Sequence, residues 1–251
     1  MSGHSKWSTI KRKKGAADAK RGQLFTRLGR ELMIAAKEGG ADPEANFRLR
    51  LVVDKARAAN MPKENIERAI QRGAGTGKDG VVLDEVIYEG YGPGGTAVMV
   101  EVLTDNRNRS VAEVRRVFSR HGGNLGESGC VGWMFERKGS MTISAEGFDA
   151  EAIALEAIDA GAEDVKVDGD TVEVYTTVED LQRVREALLT RSFVVEDAEL
   201  GWVPKTLFQP DLKTTVQNLR LIEALEELDD VQAVHSNLDI SEDALAEFEA
   251  A

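Results

Sequence analysis

Residues 140–203, SMTISAEGFDAEAIALEAIDAGAEDVKVDGDTVEVYTTVEDLQRVREALLTRSFVVEDAELGWV, switch repeatedly between two hydrophobic periods. Strand character falls at Met141–Ser144, Asp164–Val167, Thr171–Tyr175 and Val194–Val203, and helical spacing at Ala150–Ala160 and Val178–Leu189. Strand, helix, strand, strand, helix, strand is the order of a ferredoxin-like split βαβ unit, a compact sheet with helices on one face. The rest of the chain is arranged around this unit.

On its N-terminal side, Val86–Tyr88 and Ala97–Leu103 read as a hairpin turning at Gly92-Pro93-Gly94-Gly95. Ser110 with Glu113 forms a capping box for a helix bearing Val111, Val114 and Phe118, which stops at Gly122-Gly123; strand character resumes over Cys130–Phe135. On the C-terminal side lie a helix with Leu212, Val216, Leu219, Ile222 and Leu225 inward and a strand at Val231–His235. A lone helix and strand cannot bury a core, so both are expected to rejoin the sheet that starts near residue 84. Residues 241–251 are acidic and alanine-rich and are expected to fray.

The first 76 residues read as helical. Leu24, Leu28, Leu32, Ala35 and Ala36 mark one helix. Asp42-Pro43 reads as the cap and first position of a second, whose stripe from Ala45 to Ala59 ends at Asn60; Pro62 opens a third, with Ile66, Ala69 and Ile70 inward and Gly73 as its stop. The expected fold class is therefore α+β in three domains. These are a helical domain (1–76), a discontinuous α/β domain (80–138 and 205–240) and an inserted ferredoxin-like domain (139–204), with an acidic tail (241–251).

Charge divides the chain in the same way. Residues 1–72 hold 17 Lys and Arg against 8 Asp and Glu, while the remaining 179 hold 15 against 36. The overall charge of −12 conceals a basic arm on an acidic body, the pattern of a polyanion-binding segment. The candidate phosphate-contacting residues are Lys6, Lys11, Arg12, Lys13, Lys14, Lys20, Arg21, Arg27, Arg30 and Lys37. Trp7 lies among them and can stack on a base or anchor a core. Arg107, Arg109, Arg115, Arg116 and Arg120 form an arginine island in the acidic body and a second candidate surface, or else serve loop hydrogen bonds and salt bridges.

Other chemistries find little support. Gly73-Ala74-Gly75-Thr76-Gly77-Lys78 is one residue short of a phosphate loop and carries Asp79 where Ser or Thr would bind magnesium. The glycines at 90, 92, 94 and 95 sit between two strands, away from any helix N-terminus that could receive a pyrophosphate. One cysteine (Cys130) and three scattered histidines give no metal-ligand spacing, and no nucleophile sits beside a base. The expectation is a non-enzymatic protein with no cofactor, no metal, no small-molecule substrate and no membrane span. The basic start runs straight into helical patterning with no spare leader, so a cytoplasmic location is expected.

Several strings in register resemble the YebC/PmpR family: Gly3-His4-Ser5-Lys6-Trp7 with Ile10-Lys11-Arg12-Lys13-Lys14, Asn60-Met61-Pro62, Glu89-Gly90-Tyr91-Gly92-Pro93-Gly94-Gly95, and Leu103-Thr104-Asp105-Asn106-Arg107-Asn108-Arg109. The family also includes mitochondrial translational activators of cytochrome oxidase subunit one. Ser110 where threonine is usual, and Cys130, are small departures. The resemblance implies a helical N-terminal domain, two α/β domains and non-enzymatic control of gene expression. It implies DNA binding in transcription, with ribosome-associated RNA binding in translation as the alternative. A protein-interaction scaffold is a third class.

Overall fold

A computed structural model describes residues 18–75 and 83–250, excluding the side chains of residues 18–20. Three helices come first: α1 (Asp18–Gly39), α2 (Phe47–Ala58) and α3 (Lys63–Gly73). They close on Leu28, Leu32, Leu49, Val53, Ala56, Met61 and Ile66. The cap of α2 is Asn46, not Asp42. Its side-chain oxygen accepts from Leu49 N at 3.0 Å, while Nδ2 donates to the Ala35 and Gly40 carbonyls, so one buried amide fixes the entire α1–α2 corner. Asn60 takes a left-handed φ of 58° and Met61 N returns to Ala56 O, which makes Asn60-Met61-Pro62 the hinge between α2 and α3. Gly73 does not stop α3 as a cap. It packs against the Met33 backbone, where a Cβ has no room, and Gly75 at φ 73° supplies the left-handed turn.

The middle domain holds β1 (Asp84–Tyr91), β2 (Ala97–Thr104), α4 (Arg107–Arg120) and β3 (Asn124–Leu125). After the inserted domain it is completed by α7 (Leu212–Glu226), β8 (Val231–Ser236) and α8 (Glu242–Ala250). Its sheet order is β3-β1-β2-β8, antiparallel throughout, and β8 pairs with β2 from Val98↔Ser236 to Val102↔Val231. Val98, Val100 and Val102 face α4 and α7, whereas Ala97 and Met99 face Val131, Phe135 and Trp202 on the opposite side. Burial on both faces explains why β2 reads as a continuous apolar run without alternation. The cap of α4 is Asn106, whose side chain accepts from Arg109 N; Ser110 lies a turn inside the helix and is buried. The apparent capping box at Ser110 and Glu113 is therefore one turn too late.

The inserted domain is β4 (Phe135–Ser144), α5 (Ala150–Asp159), β5 (Asp164–Asp168), β6 (Thr171–Thr176), α6 (Leu181–Thr190) and β7 (Val194–Pro204). The order β5-β6-β4-β7 with antiparallel neighbours is the ferredoxin-like arrangement, with Ile153, Ala157, Leu181, Val184 and Leu188 packed on Met141, Ile143, Val172 and Val174. Its sheet starts at Phe135, opposite Pro204, inside the segment expected to belong to the middle domain. Residues 132–134, expected as strand, form a 3₁₀ turn.

Residues 242–250 are no frayed tail. Ala244 is fully buried and Phe248 is 5% exposed in the α4–α7 core, because acidic residues occupy the outer face of α8 while two apolar side chains occupy the inner one. Replacing Phe248 by Ala is expected to destabilise the protein by about 3 kcal/mol in urea unfolding. A loss below about 0.5 kcal/mol, the usual limit for a surface change, contradicts this packing.

Candidate nucleic-acid interface

The arm residues Lys6, Trp7, Lys11, Arg12, Lys13 and Lys14 lie outside the described residues, as does the side chain of Lys20. Arg21 and Lys37 are exposed on α1. Arg27 and Arg30 are differently placed. Arg27 is half-buried with no hydrogen-bond partner for Nε, and burial pulls its guanidinium below its usual pKa, opposed by the charges of Glu226, Asp229 and Glu31. The Arg30 guanidinium donates through Nη1 to Asp230 Oδ1 at 2.8 Å and to Asp229 O at 2.7 Å, with Leu103 O at 3.4 Å. Arg30 ties α1 to the middle domain and is not offered to a ligand, while Arg27 is half-buried within the field of Glu226 and Asp229.

The arginine island splits in the same way. Arg107 pairs with Asp84, and Arg109 Nη2 bridges Asp105 and Asp230, each at 2.8 Å. Thr104 Oγ1 and Ser110 Oγ also donate to Asp230 Oδ2, at 3.0 and 2.6 Å. Burial pushes the Asp230 carboxyl up. Donation from Ser110, Arg109 and Thr104, with the charge of Arg30, outweighs this and holds it below the ordinary carboxylate value. Arg115, Arg116 and Arg120 are exposed on the outer face of α4 and form no ion pair among the described residues. At 100° per residue Arg116 and Arg120 share one line on the helix, with Arg115 on its flank. Arg68 and Arg72, exposed at i and i+4 on α3, are likewise unpaired. Both belong to the basic segment of residues 1–72 but lie beyond Lys37, the last of its candidate phosphate contacts.

Where the three domains meet is a cavity of about 100 Å³ lined by Glu31, Lys55, Glu101, Arg137, Glu199 and His235 among others. Its charges face one another: Lys55 bridges Glu199 at 2.8 Å and Asp197 at 3.7 Å, and His235 Nε2 lies 3.0 Å from Glu101. Burial lowers the Lys55 pKa, yet Glu199, Asp197 and Glu31 overcome this and raise it overall; burial pushes the Glu31 carboxyl up. With Arg185 to Asp54 at 3.0 Å, and with Leu51 of α2 inserted in the core of the inserted domain, this junction joins the domains.

Glu89 is a second internal anion. Its carboxylate is buried yet accepts from the backbone N–H of Gly129, Val131 and Gly132 at 2.8, 2.8 and 2.6 Å. Burial raises its pKa, and the three N–H groups bring it below the ordinary value. Cys130 is packed in the same loop; burial, then the charge of Glu89, pushes its thiol up and away from the thiolate that metal or nucleophile chemistry needs. Among the described residues no group of His, Cys, Asp or Glu could hold a metal, and no helix is long and apolar enough to cross a membrane.

Two family descriptions cover this architecture, the TACO1/YebC protein N-terminal domain over residues 5–76 and the TACO1/YebC second and third domain over residues 83–238. The chain belongs to the TACO1/YebC family. Relatives named "probable transcriptional regulatory protein" include one from Chloroflexus aurantiacus, 55% identical over 253 residues spanning all of both chains. Another, from Dictyoglomus turgidum, is 53% identical over 246 residues, 98% of each. The crystal structure of a conserved hypothetical protein from Aquifex aeolicus superposes with a TM-score of 0.83 at 49% identity, over 90% of this chain and 93% of that one. Within this TACO1/YebC chain, the strings Glu89–Gly95 and Leu103–Arg109 surround the two internal anions.

Because the folded Asp230 carboxyl titrates below its unfolded value near 3.9, its stabilisation is present above that pH and is lost as pH falls through the folded value. Asp230→Ala is expected to cost about 3 kcal/mol at pH 7 by leaving Arg30 partly buried and unpaired. The difference between variant and wild type should shrink below about pH 4. A pH-independent difference in denaturant unfolding contradicts the charged anchor.

Proposed function

We propose that the chain is a non-enzymatic regulator of gene expression that binds nucleic acid and acts on DNA; a role in transcription is supported by relatives named probable transcriptional regulatory proteins. The observation that supports this best is the set of cations left over once internal pairing is complete. In a chain of net charge −12, where Arg30, Arg48, Arg50, Arg107, Arg109 and Arg185 all meet carboxylates, Arg115, Arg116 and Arg120 stand exposed on one helix with no ion pair among the described residues. Arg116 and Arg120, one turn apart, are about 6 Å apart along the axis, nearly two of the roughly 3.4 Å axial steps between phosphates on one strand of a duplex. Residues Lys6 to Lys14 add a second, stronger cationic segment. The protein is proposed to work in the cytoplasm.

A specific observation favours an RNA target, on the ribosome, as a second reading. Arg30 of α1 and Lys55 of α2 are committed to Asp230 and to Asp197 and Glu199 respectively, which leaves fewer side chains on these helices to read bases in a major groove. Recognition through backbone, shape and stacked bases suits RNA.

Changing Arg115, Arg116 and Arg120 together to Ala is expected to weaken binding across sequences. The slope of log affinity against log salt should flatten by up to about 0.9 per lost duplex contact, or about 0.7 on a single strand. The Lys11, Arg12, Lys13 and Lys14 quadruple Ala variant should do the same, whereas Arg30→Ala should lower stability and leave the slope unchanged. Unchanged slopes in both multiple variants refute the reading. Ribosome co-sedimentation beside promoter-DNA recovery from the same cells decides the polymer.

A further inference from the structure

Trp133 is 69% exposed, the most solvent-accessible large apolar side chain among the described residues. It sits in the 3₁₀ turn Gly132–Met134 between Val131 and Phe135, which are buried in the core under β2, so its backbone is fixed while its ring faces water. The turn is held at several points. Glu89 takes three N–H groups of residues 129–132, Gly126 N donates to Glu89 O at 2.8 Å, and Lys205 reaches Trp133 O through Nζ at 3.0 Å and Met134 O through its backbone N–H at 2.9 Å. Beside it, Tyr91 is 38% exposed at the end of β1. The Tyr91 hydroxyl and the Trp133 indole N–H both donate to one acceptor, Cys130 O, at 2.9 and 3.1 Å.

That convergence sets what the pair can bind. A Tyr or Trp at a binding surface normally offers an apolar body and a polar tip. Here both tips are already occupied by the same carbonyl, leaving ring faces and edges. The two rings can therefore stack, but neither has a proton left to donate to a base edge. A protein hot spot surrounds its aromatic anchor with contacts that exclude water, whereas Glu127, Ser128, Gly129 and Lys205 around this turn are all exposed. An aromatic face beside an ammonium is the composition that takes an unpaired base with its phosphate.

We propose that Trp133 and Tyr91 form a pre-built stacking platform for one or two unpaired bases of a single-stranded nucleic-acid segment, with Lys205 neutralising the adjoining phosphate. This rests on the nucleic-acid reading above and adds to it a site, a strandedness and a lack of sequence preference. The platform and the free arginines of α4 lie on opposite faces of the middle sheet. Ile87 on the platform's side packs with Val131 and Phe135, while Tyr88 on the other side packs with the α4 core.

The test uses the full chain with an oligouridylate and an oligoadenylate about 12 nucleotides long, within the span of a single-strand site, and a duplex of equal length. Trp133→Ala should lose about 5- to 100-fold in affinity for both single strands and change duplex affinity less than about twofold. Trp133→Phe should keep most of the affinity, and circular dichroism should match the wild type because the ring is exposed. Should Trp133→Ala perturb folding, Trp133→Gln, which keeps polar bulk and removes the ring, is read in its place. Single-strand affinity equal to wild type overturns the platform, leaving the ring to a protein partner, while the α4 triple variant separately reports on nucleic-acid binding. Wild-type protein that binds none of the three probes overturns both.

Discussion

A single carboxylate gathers the N-terminal helices, the middle sheet and its first helix at one point. Asp230, 4% exposed in the turn between α7 and β8, receives Arg30 from α1, Thr104 from the end of β2, and Arg109 and Ser110 from the first turn of α4. A buried charge is tolerated only when it is both paired and hydrogen-bonded, and four donors on two oxygens meet that condition. Its own backbone carbonyl accepts from Leu103 N at 2.9 Å, which fixes the turn to the sheet. Loss of any one donor leaves the others aimed at an under-compensated anion, so the contacts act as a unit.

Glu89 plays the corresponding part on the far side of the sheet, shaping residues 126–132 around backbone N–H groups. Gly126 and, on β1, Gly90 are steric requirements: a Cβ on Gly126 would strike the Cys130 sulfur at 2.5 Å, and one on Gly90 would strike Asn124 O at 2.6 Å. Two strings that stand out in the sequence are thereby explained as frameworks for internal anions. What they position, α4 on one face and the Trp133 turn on the other, are the surfaces left open to a partner.

The hydrophobic periods revealed the three-domain α+β architecture, including the return of Val231–Ser236 to the first sheet, because apolar spacing is a local signal with a geometric meaning. Caps were less legible. Asp42 and Ser110 are good caps by type, but Asn46 and Asn106 won because each also serves a tertiary demand, a corner in one case and the Asp230 cluster in the other. Salt bridging was one of the two readings of the arginine island that holds Arg109, but the partner it shares with Arg30 was not legible, since Asp230 lies 121 and 200 residues away. Trp133 was hidden for the opposite reason. An aromatic residue inside an apolar run reads as core, and only the tight turn reverses it toward solvent.

The position of β8 also has a bearing on how the chain is made. Strand β2 finds its second neighbour in residues 231–236, and the sheet's helical cover is completed by α8 at residues 242–250. As the polypeptide emerges, the ferredoxin-like unit can close once residue 204 is out, whereas the unit encoded before it waits, half-assembled, for residues 212–250. Synthesis order and completion order are thus inverted for these two bodies. The clasp through Asp230 that orients the N-terminal helices can form only after the ferredoxin-like unit has been made.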